Sequence, residues 1–167
     1  MSDDEMLDLA DENDIVYRTA KRSEVYENNL KYFRAANAFI VNSNGALWIP
    51  RRVATKKIFP LCLDMSIAGH VSSGETYDET FARESMEEVN IDVTSVPVRV
   101  LGKVNPIEVG TSCWSMNYEI NMDTEPEYNH QDFISAAWYK PHDLLAAIAA
   151  GEKSKTDLPL LVKHFYG

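Results

Sequence analysis

The sequence predicts an α/β fold in which a mixed sheet lies between helices, because apolar strand-like runs and helical segments alternate along the 167 residues. Three features carry this prediction: an Asn-Gly turn between two apolar runs, a capped helix in the middle of the chain, and a later helix that a glycine closes. This order of elements favours an α/β/α sandwich around the sheet. The length and a hydrophobic content of 45% indicate one domain over residues 1–167.

Strands dominate the first half of the prediction. Apolar residues flank the polar stretch 11–14, which predicts a hairpin within an N-terminal extension over residues 1–30. Asn44-Gly45 is a strong hairpin signal because both residues accept the positive φ of a tight turn. The predicted elements are a hairpin over 7–19, a helical turn over 22–28, and strands over 35–41, 46–51 and 63–68.

A helix is predicted to begin at Thr76 and to end at Asn90. Thr76 and Glu79 form a Thr-x-x-Glu capping box, which satisfies two backbone amides at a helix N-terminus. Asn90 favours the left-handed conformation that closes a helix. Small and apolar residues at helical spacing predict the packing face, with the helix carboxylates pointing another way. This predicted stripe consists of Ala82, Ser85, Met86 and Val89.

The second half is predicted to complete the sheet and to add two helices. Gly151 is predicted to close the first of these helices. The chain contains no internal repeat and no low-complexity stretch. The predicted elements are strands over 96–104, 113–122 and 133–139 and helices over 141–150 and 158–165.

Three carboxylates, Glu84, Glu87 and Glu88, lie on one face of the predicted helix. Like charges at this spacing destabilise a helix by about a few tenths of a kcal/mol per pair, so helix formation alone does not explain the grouping. A divalent cation does, since Mg²⁺ prefers carboxylate oxygens together with waters and substrate phosphates. We therefore expect the reaction centre here, with Mg²⁺ as the cofactor and Mn²⁺ as an alternative. A solvated acidic face is the other interpretation.

Residues 69–91 resemble the Nudix box, the motif of the Nudix hydrolase family. Two positions depart from it: Ser85 stands where an aliphatic residue is usual, and Asn90 stands where glycine is usual. Neither change removes a carboxylate. The positions that match in register are Gly69, Glu75, Arg83, Glu84, Glu87, Glu88 and Ile91.

The resemblance implies a Nudix-like α/β/α sandwich and a role for each box residue. Glu84, Glu87 and Glu88 are expected to bind the metal, and Glu87 or Glu88 also to polarise the attacking water. Arg83 is expected to position the catalytic groups from a salt bridge to Glu75, which has a structural role. In the loop before the helix, the glycine of the motif is expected to approach the metal closely and to offer its carbonyl as a ligand. That glycine is Gly69.

The implied reaction is substitution at phosphorus, in which a metal neutralises the phosphates, orients a water molecule and lowers its pKa. The expected substrate is a nucleoside diphosphate linked to another moiety, or a related diphosphate. Candidate substrate-binding residues are Arg51, Arg52, Lys56 and Lys57, although a basic cluster after a strand is also typical of a solvated face. Asp132, in a polar loop before a strand, is a candidate extra carboxylate.

The resemblance extends to a Nudix subgroup that is itself similar to isopentenyl-diphosphate isomerase, which supplies an alternative function. On the isomerase pattern the catalytic cysteine falls at Ala68, and the nearest thiol, Cys62, lies six residues earlier. Proton transfer at carbon needs a positioned acid and base, and alanine is neither. His70 matches an isomerase metal ligand but also occurs in ordinary Nudix hydrolases. A non-catalytic nucleotide-diphosphate sensor is a further alternative, although such proteins usually lose box carboxylates.

Composition argues against several classes of partner. A formal net charge of −10 disfavours a nucleic-acid backbone, which is bound through lysine and arginine. No apolar run approaches the roughly 18 residues of a membrane span, and the acidic N-terminus is unlike a secretory signal, so we expect a cytoplasmic protein. Cys62 and Cys113 form no metal-binding pair and are expected to be reduced. The sequence leaves open whether the chain forms a homodimer.

Overall fold

The computed structural model describes residues 4–167, which form eight strands and five helices. Residues 1–3 of the predicted N-terminal extension lie outside the described residues. The strands are β1 (Met6–Ala10), β2 (Val16–Lys21), β3 (Arg34–Val41), β4 (Leu47–Arg52), β5 (Ile67–His70), β6 (Val98–Val104), β7 (Trp114–Asn121) and β8 (Phe133–Tyr139). The helices are α1 (Arg22–Glu27), α2 (Tyr77–Val89), α3 (Pro106–Val109), α4 (Pro141–Ala149) and α5 (Asp157–Tyr166).

A six-stranded mixed sheet with the main order β6-β7-β3-β4-β8 forms the centre of the molecule. On one side β3 runs parallel to β7. On its other side β3 pairs antiparallel with two strands in succession, with β5 through Ala35 to Ala38 and with β4 at Val41. β3 is almost entirely buried and apolar, as expected for a strand covered on both faces. The predicted mixed sheet is confirmed.

Helices cover both faces of this sheet, as the alternation along β3 shows. Ile40 belongs to a core that contains Phe81 of α2. Its neighbour Phe39 belongs to a second core with Leu144 of α4 and Leu161 of α5. Because successive residues of a strand point to opposite faces, α2 lies on one side of the sheet and α4 and α5 lie on the other. The α/β/α sandwich is therefore confirmed.

The buried Ser66 bridges β3 and β4 through its hydroxyl, in the region where β5 pairs with β3. The Ser66 hydroxyl donates to the carbonyl of Trp48 at 2.5 Å and accepts the amide of Ile40 at 2.9 Å. The neighbouring Asp64 carboxylate accepts the amide of Met65 at 2.8 Å. The prediction of a strand over 63–68 was therefore wrong at its start: Leu63 forms only isolated backbone bridges, side chains take part in the hydrogen bonds at Met65 and Ser66, and β5 begins at Ile67.

The N-terminal hairpin of β1 and β2 forms a separate two-stranded sheet that is tied to the large one. Asp14 in its turn accepts hydrogen bonds from Arg34 of β3 at 2.7 Å, Lys103 of β6 at 2.5 Å and Tyr77 of α2 at 3.0 Å. The Trp114 indole of β7 donates to the carbonyl of Asp11 at 2.9 Å. The hairpin thus contacts four elements of the sandwich through one polar turn.

The remaining differences from the prediction concern short elements and element ends. Helix α3 was missed: Asn105 caps it by accepting the amide of Ile107 at 2.9 Å, and Pro106 occupies its first turn. Strands β6 and β7 begin two residues and one residue later than predicted. Among the helices of residues 4–167, none has both the length and the apolar character of a membrane span.

Candidate active site

Helix α2 has the ends that its sequence predicts. The Thr76 hydroxyl accepts the amide of Glu79 at 3.1 Å, and the Glu79 carboxylate accepts the amide of Thr76 at 3.0 Å. Asn90 adopts the left-handed conformation with φ 54°, and its amide donates to the carbonyl of Met86 at 3.2 Å. Both caps fix where the helix starts and stops, and therefore which residues face the sheet.

The packing face of α2 differs from the predicted stripe. Ala82 and Met86 are exposed, whereas Glu84, Ser85 and Glu88 are buried. The Ser85 hydroxyl donates to the carbonyl of Phe81 at 2.6 Å, so a polar residue is satisfied at this aliphatic position of the motif. The expectation that the carboxylates point away from the packing face was wrong for two of the three. Of the metal-ligand candidates only Glu87 is exposed on the helix.

The backbone of β5 holds the two buried carboxylates. A Cβ atom on Gly69 would lie 2.2 Å from Cγ of Glu84, a distance that no side chain tolerates. The amide of Ala68 donates to Oε1 of Glu88 at 2.9 Å. Gly69 is therefore required by the close approach of strand and helix rather than by a positive φ, and it places its backbone beside a candidate metal ligand.

Arg83 connects the box residues to one another. Its guanidinium donates to both oxygens of Glu75 at 2.8 Å and to Oε1 of Glu84 at 2.6 Å. It also lies 3.6 Å from Oε2 of Glu87 and donates to the carbonyl of His70 at 3.3 Å. The hydrogen bonds from Arg83 lower the pKa of Glu75 to about 2. The salt bridge that the resemblance implies is thus present, and Arg83 orients two metal-ligand candidates from one position.

Burial dominates the electrostatics of the carboxylates. It raises the pKa of Glu84 to about 7, against the opposing effect of Arg83. It also raises the pKa of Glu88 well above its ordinary value, with further contributions from Glu84 and Asp64. A carboxylate whose pKa is raised in this way favours its protonated form, and a bound cation would lower that pKa again.

These side chains fit a partly open Mg²⁺ site rather than a closed protein cage. Across residues 4–167, no three His, Cys, Asp or Glu side chains converge as a preformed metal shell. Instead, Arg83 donates a hydrogen bond to Glu84, and the backbone amide of Ala68 donates one to Glu88. Mg²⁺ is commonly held by one or two carboxylates plus waters and phosphates, so carboxylates whose pKa values are raised mainly by burial, on one side of a cavity, suit it.

A cavity of about 1040 Å³ brings the box together with basic residues. Glu84, Glu87 and Glu88 line it together with Arg52, Lys56, Lys57 and Asp132. Within this set Lys56 donates to Asp132 at 2.7 Å. Of the four basic candidates, Arg52, Lys56 and Lys57 therefore lie on the same cavity as the predicted metal ligands, and so does the candidate carboxylate Asp132.

Arg51 is the exception among these candidates. Its guanidinium donates to the carbonyl of Leu61 at 3.0 Å and pairs with Glu152 at 2.7 Å, and the residue is not part of the cavity lining. The reason is the alternation of side chains along a strand, which sends Arg51 and Arg52 to opposite faces of β4. The prediction that Arg51 contacts the substrate is not supported by its position.

The thiols of the chain do not provide an isomerase-like acid or base at the box. Ala68 lies within β5, directly before the box, and Cys62 does not line the cavity. Cys113 does line it, but burial raises the pKa of its thiol to about 12. His70 lies 2.7 Å from the Tyr26 hydroxyl through Nε2, and burial lowers its pKa to about 3, so its ring is neutral.

Two charged residues that the sequence did not single out also belong to this region. Asp64 is 1% exposed and accepts a hydrogen bond from Arg52 at 2.9 Å. Lys155 lines the cavity and lies 3.4 Å from the other oxygen of Asp64. An aspartate inside the apolar run 63–67 was an available signal for Asp64. The sequence around Lys155 contains no signal of this kind.

Comparisons with known proteins agree with this geometry. Residues 31–158 match the family model of the NUDIX domain. The protein named uncharacterized Nudix hydrolase all7351, from Nostoc sp. PCC 7120, is 49% identical over 166 residues, or 99% of this chain and 98% of that protein. The crystal structure of DR0079 from Deinococcus radiodurans has a TM-score of 0.92 and 41% identity, and the match covers 98% of this chain and 100% of that one. An isopentenyl-diphosphate Δ-isomerase from Kocuria rhizophila is 24% identical over 86% of this chain and 82% of that enzyme.

Proposed function

From the premise that the chain belongs to the Nudix hydrolase family and is a pyrophosphohydrolase, we propose that it is a Mg²⁺-dependent enzyme. It cleaves a phosphoanhydride bond in a nucleoside diphosphate linked to another moiety, or in a related diphosphate. The observation that carries this proposal is the pair of buried carboxylates, Glu84 and Glu88, which β5 holds against a cavity that also contains basic residues. Mn²⁺ is the alternative cation.

In this proposal each residue of the site has a separate role. When bound, Mg²⁺ supplies charge neutralisation at the phosphates and activation of water. Glu88 has Oε1 fixed by the amide of Ala68, so its Oε2 is the atom proposed to accept the proton of the attacking water. Arg83 positions Glu84 and Glu87. Lys56 and Arg52 are proposed to neutralise the substrate phosphates.

Two alternatives have separate observations. An isomerase-like activity is favoured by the similarity to the Kocuria isomerase, but Ala68 lacks the thiol of that pattern and Cys113 is strongly biased toward its protonated form. A nucleotide-diphosphate sensor needs no catalytic carboxylates, and here all three are retained. We further propose that the protein acts in the cytoplasm on a small molecule, since both cysteines are free thiols and the formal net charge is −10.

A substrate panel tests the proposal. Nucleoside, sugar, coenzyme and isoprenoid diphosphates are incubated with Mg²⁺, Mn²⁺ or EDTA in oxygen-18 water, and the products are analysed by mass spectrometry. We expect metal-dependent cleavage with the label in a phosphate product, because the box offers no separate acid for a carbon–oxygen bond. Label in the non-phosphate fragment would contradict attack at phosphorus. Proton NMR of isopentenyl diphosphate with Mg²⁺ tests the isomerase alternative, for which a new methyl pattern is the signature.

A further inference from the structure

One buried aspartate holds two cations at the edge of the cavity. Asp64 is 1% exposed, and its Oδ2 accepts a hydrogen bond from Nη1 of Arg52 at 2.9 Å. Its Oδ1 lies 3.4 Å from Nζ of Lys155. The side chains of Arg52 and Lys155 are 12% and 22% exposed, and both residues line the cavity. The two cations are therefore held in place but not sealed from the substrate.

Backbone pairing places Lys155 at this position although it is distant from the box in sequence. The amide of Leu63 donates to the carbonyl of Lys153 at 2.9 Å, and the amide of Lys155 donates to the carbonyl of Leu63 at 2.9 Å. This pairing sets the segment 153–155 beside Asp64. Lys153 is exposed and does not line the cavity, so the same pairing gives these two lysines different surroundings.

Arg52 and Lys155 share Asp64 as an ion-pair partner. Asp64 contributes one negative charge, whereas Arg52 and Lys155 contribute two positive charges. The nearby Lys56 is already paired with Asp132 at 2.7 Å. Two half-buried cations that share one carboxylate leave a net positive charge, and an anionic ligand would neutralise it.

We propose that Lys155 is a substrate-binding residue which, together with Arg52, binds a phosphate group of the substrate, while Asp64 holds both cations in position. This inference rests on the proposed function, since it requires a diphosphate substrate. The proposed phosphate site therefore includes the predicted basic cluster on β4 and the following loop, and also the segment that precedes α5. The alternative is that Lys155 only neutralises Asp64 and stabilises the fold.

The test compares Lys155→Met with Lys153→Met, a matched loss of charge two residues away, in the full-length protein. The readouts are kcat and KM on the best substrate of the panel, the Kd of methylenediphosphonate by calorimetry with Mg²⁺, and the melting temperature. Methylenediphosphonate carries two linked phosphonates but has no hydrolysable bridge. We expect Lys155→Met to raise KM and this Kd by at least about tenfold with a smaller change in kcat, because a charge-assisted contact is lost. Lys153→Met should match the wild type.

Further outcomes decide between the two roles of Lys155 and separate the inference from the proposed function. Lys155→Arg should restore most of the affinity, because it keeps the charge. A lower melting temperature with unchanged KM and Kd in Lys155→Met would overturn the inference and leave a structural role. A wild-type protein that hydrolyses no diphosphate and does not bind methylenediphosphonate would overturn the proposed function as well, whereas hydrolysis with equal behaviour of both methionine variants would overturn only the inference.

Discussion

The two sides of the cavity are built in different ways. The carboxylate side, Glu84, Glu87 and Glu88, lies on one helix, and one arginine and the adjoining strand hold its side chains. The cationic side, Arg52, Lys56 and Lys155, comes from three separate segments, and each cation is placed by an aspartate elsewhere in the chain. Local spacing thus sets the first side, and long-range ion pairs set the second.

This difference indicates a division of roles. On the carboxylate side, groups with raised pKa values are crowded together, and a metal ion would relieve that crowding. On the cationic side, each positive group already has a negative partner, so a substrate phosphate competes with or adds to existing pairs. We therefore expect changes on the first side to reduce kcat and changes on the second to raise KM.

Removal of charge on the carboxylate side gives the largest expected effect. Glu88→Gln should lower kcat by at least about a hundredfold, because it removes a ligand and a proton acceptor but little volume. Glu87→Gln should also lower kcat by at least about a hundredfold. Steady-state hydrolysis beside thermal melts in EDTA measures both effects, and the melting temperature should be level or slightly raised because like charges are removed.

A control for these two variants is Glu108→Gln, since Glu108 is exposed on α3 and does not line the cavity. It should retain the wild-type rate. If Glu87→Gln and Glu88→Gln both retained wild-type rates as well, the carboxylate side would not be the reaction centre.

The contact between strand and helix on the carboxylate side is the next test. Gly69→Ala places a Cβ 2.2 Å from Glu84 Cγ, so Glu84 must move. We expect kcat to fall by about tenfold to a hundredfold, because small displacements of catalytic groups have effects of this size. We also expect the melting temperature to fall by about 5 °C, from an overpacking cost of about 1–3 kcal/mol.

Gly45→Ala is the matched control for the strand–helix contact. Gly45 has φ 77°, and a Cβ there would meet nothing within 4 Å. The variant should lose stability through backbone strain of about 1 kcal/mol or more and keep its activity. Equal activity of the two alanine variants would show that the close approach at Gly69 has no functional role.

The cationic side is tested by two neighbouring arginines. Arg52→Ala should raise KM by about tenfold, because Arg52 lines the cavity and contacts substrate in the proposed function. Arg51→Ala should leave KM unchanged, because its guanidinium is bound to Leu61 and Glu152. Initial rates over a range of substrate concentrations measure both. A KM effect in Arg51→Ala equal to that in Arg52→Ala would mean that the strand register does not divide their roles.

The same difference explains how much the sequence predicted. The caps Thr76 and Asn90, the box spacing and the pair of Arg83 with Glu75 depend on residues close in sequence, and the structure places them as expected. The prediction of the buried face of α2 was wrong because a hydrophobic pattern identifies only apolar contacts, whereas this face also carries Glu84 and Glu88.

Long-range contacts account for most of what the sequence did not predict. The orientation of Arg52 toward the cavity depends on the pairing of β4 with β8, which no local pattern specifies. The position of Lys155 depends on backbone pairing between Leu63 and the segment before α5. The sequence marks Asp64 only as a charged residue inside an apolar run. It does not indicate that Arg52 and Lys155 are the partners of Asp64. The sequence therefore predicted the carboxylate side more fully than the cationic side.

The smallest expected effect is the pH dependence of stability that the buried carboxylates produce. Burial raises the pKa of folded Glu84 to about 7 from an ordinary value of 4.5. Below about pH 4.5 this group is protonated in both the folded and the unfolded chain. As the pH rises toward 7, ionisation stabilises the unfolded chain first, so the free energy of unfolding falls across this window. Glu88 acts in the same direction, because its pKa is also raised by burial.

Thermal melts in EDTA between pH 5 and pH 8 measure this decline, and the predicted loss is on the order of several degrees. Glu84→Gln should reduce the slope of the curve, because one of the two titrating carboxylates is gone, and this comparison separates Glu84 from the general repulsion of an acidic protein. Mg²⁺ should raise the melting temperature more at pH 8 than at pH 5, since it binds the ionised carboxylates. An identical slope in Glu84→Gln and the wild type would show that Glu84 does not titrate in this range. Glu84 would then be ionised without a cation. Protonation imposed by burial at Glu84 would not be one of the differences between the carboxylate side and the cationic side.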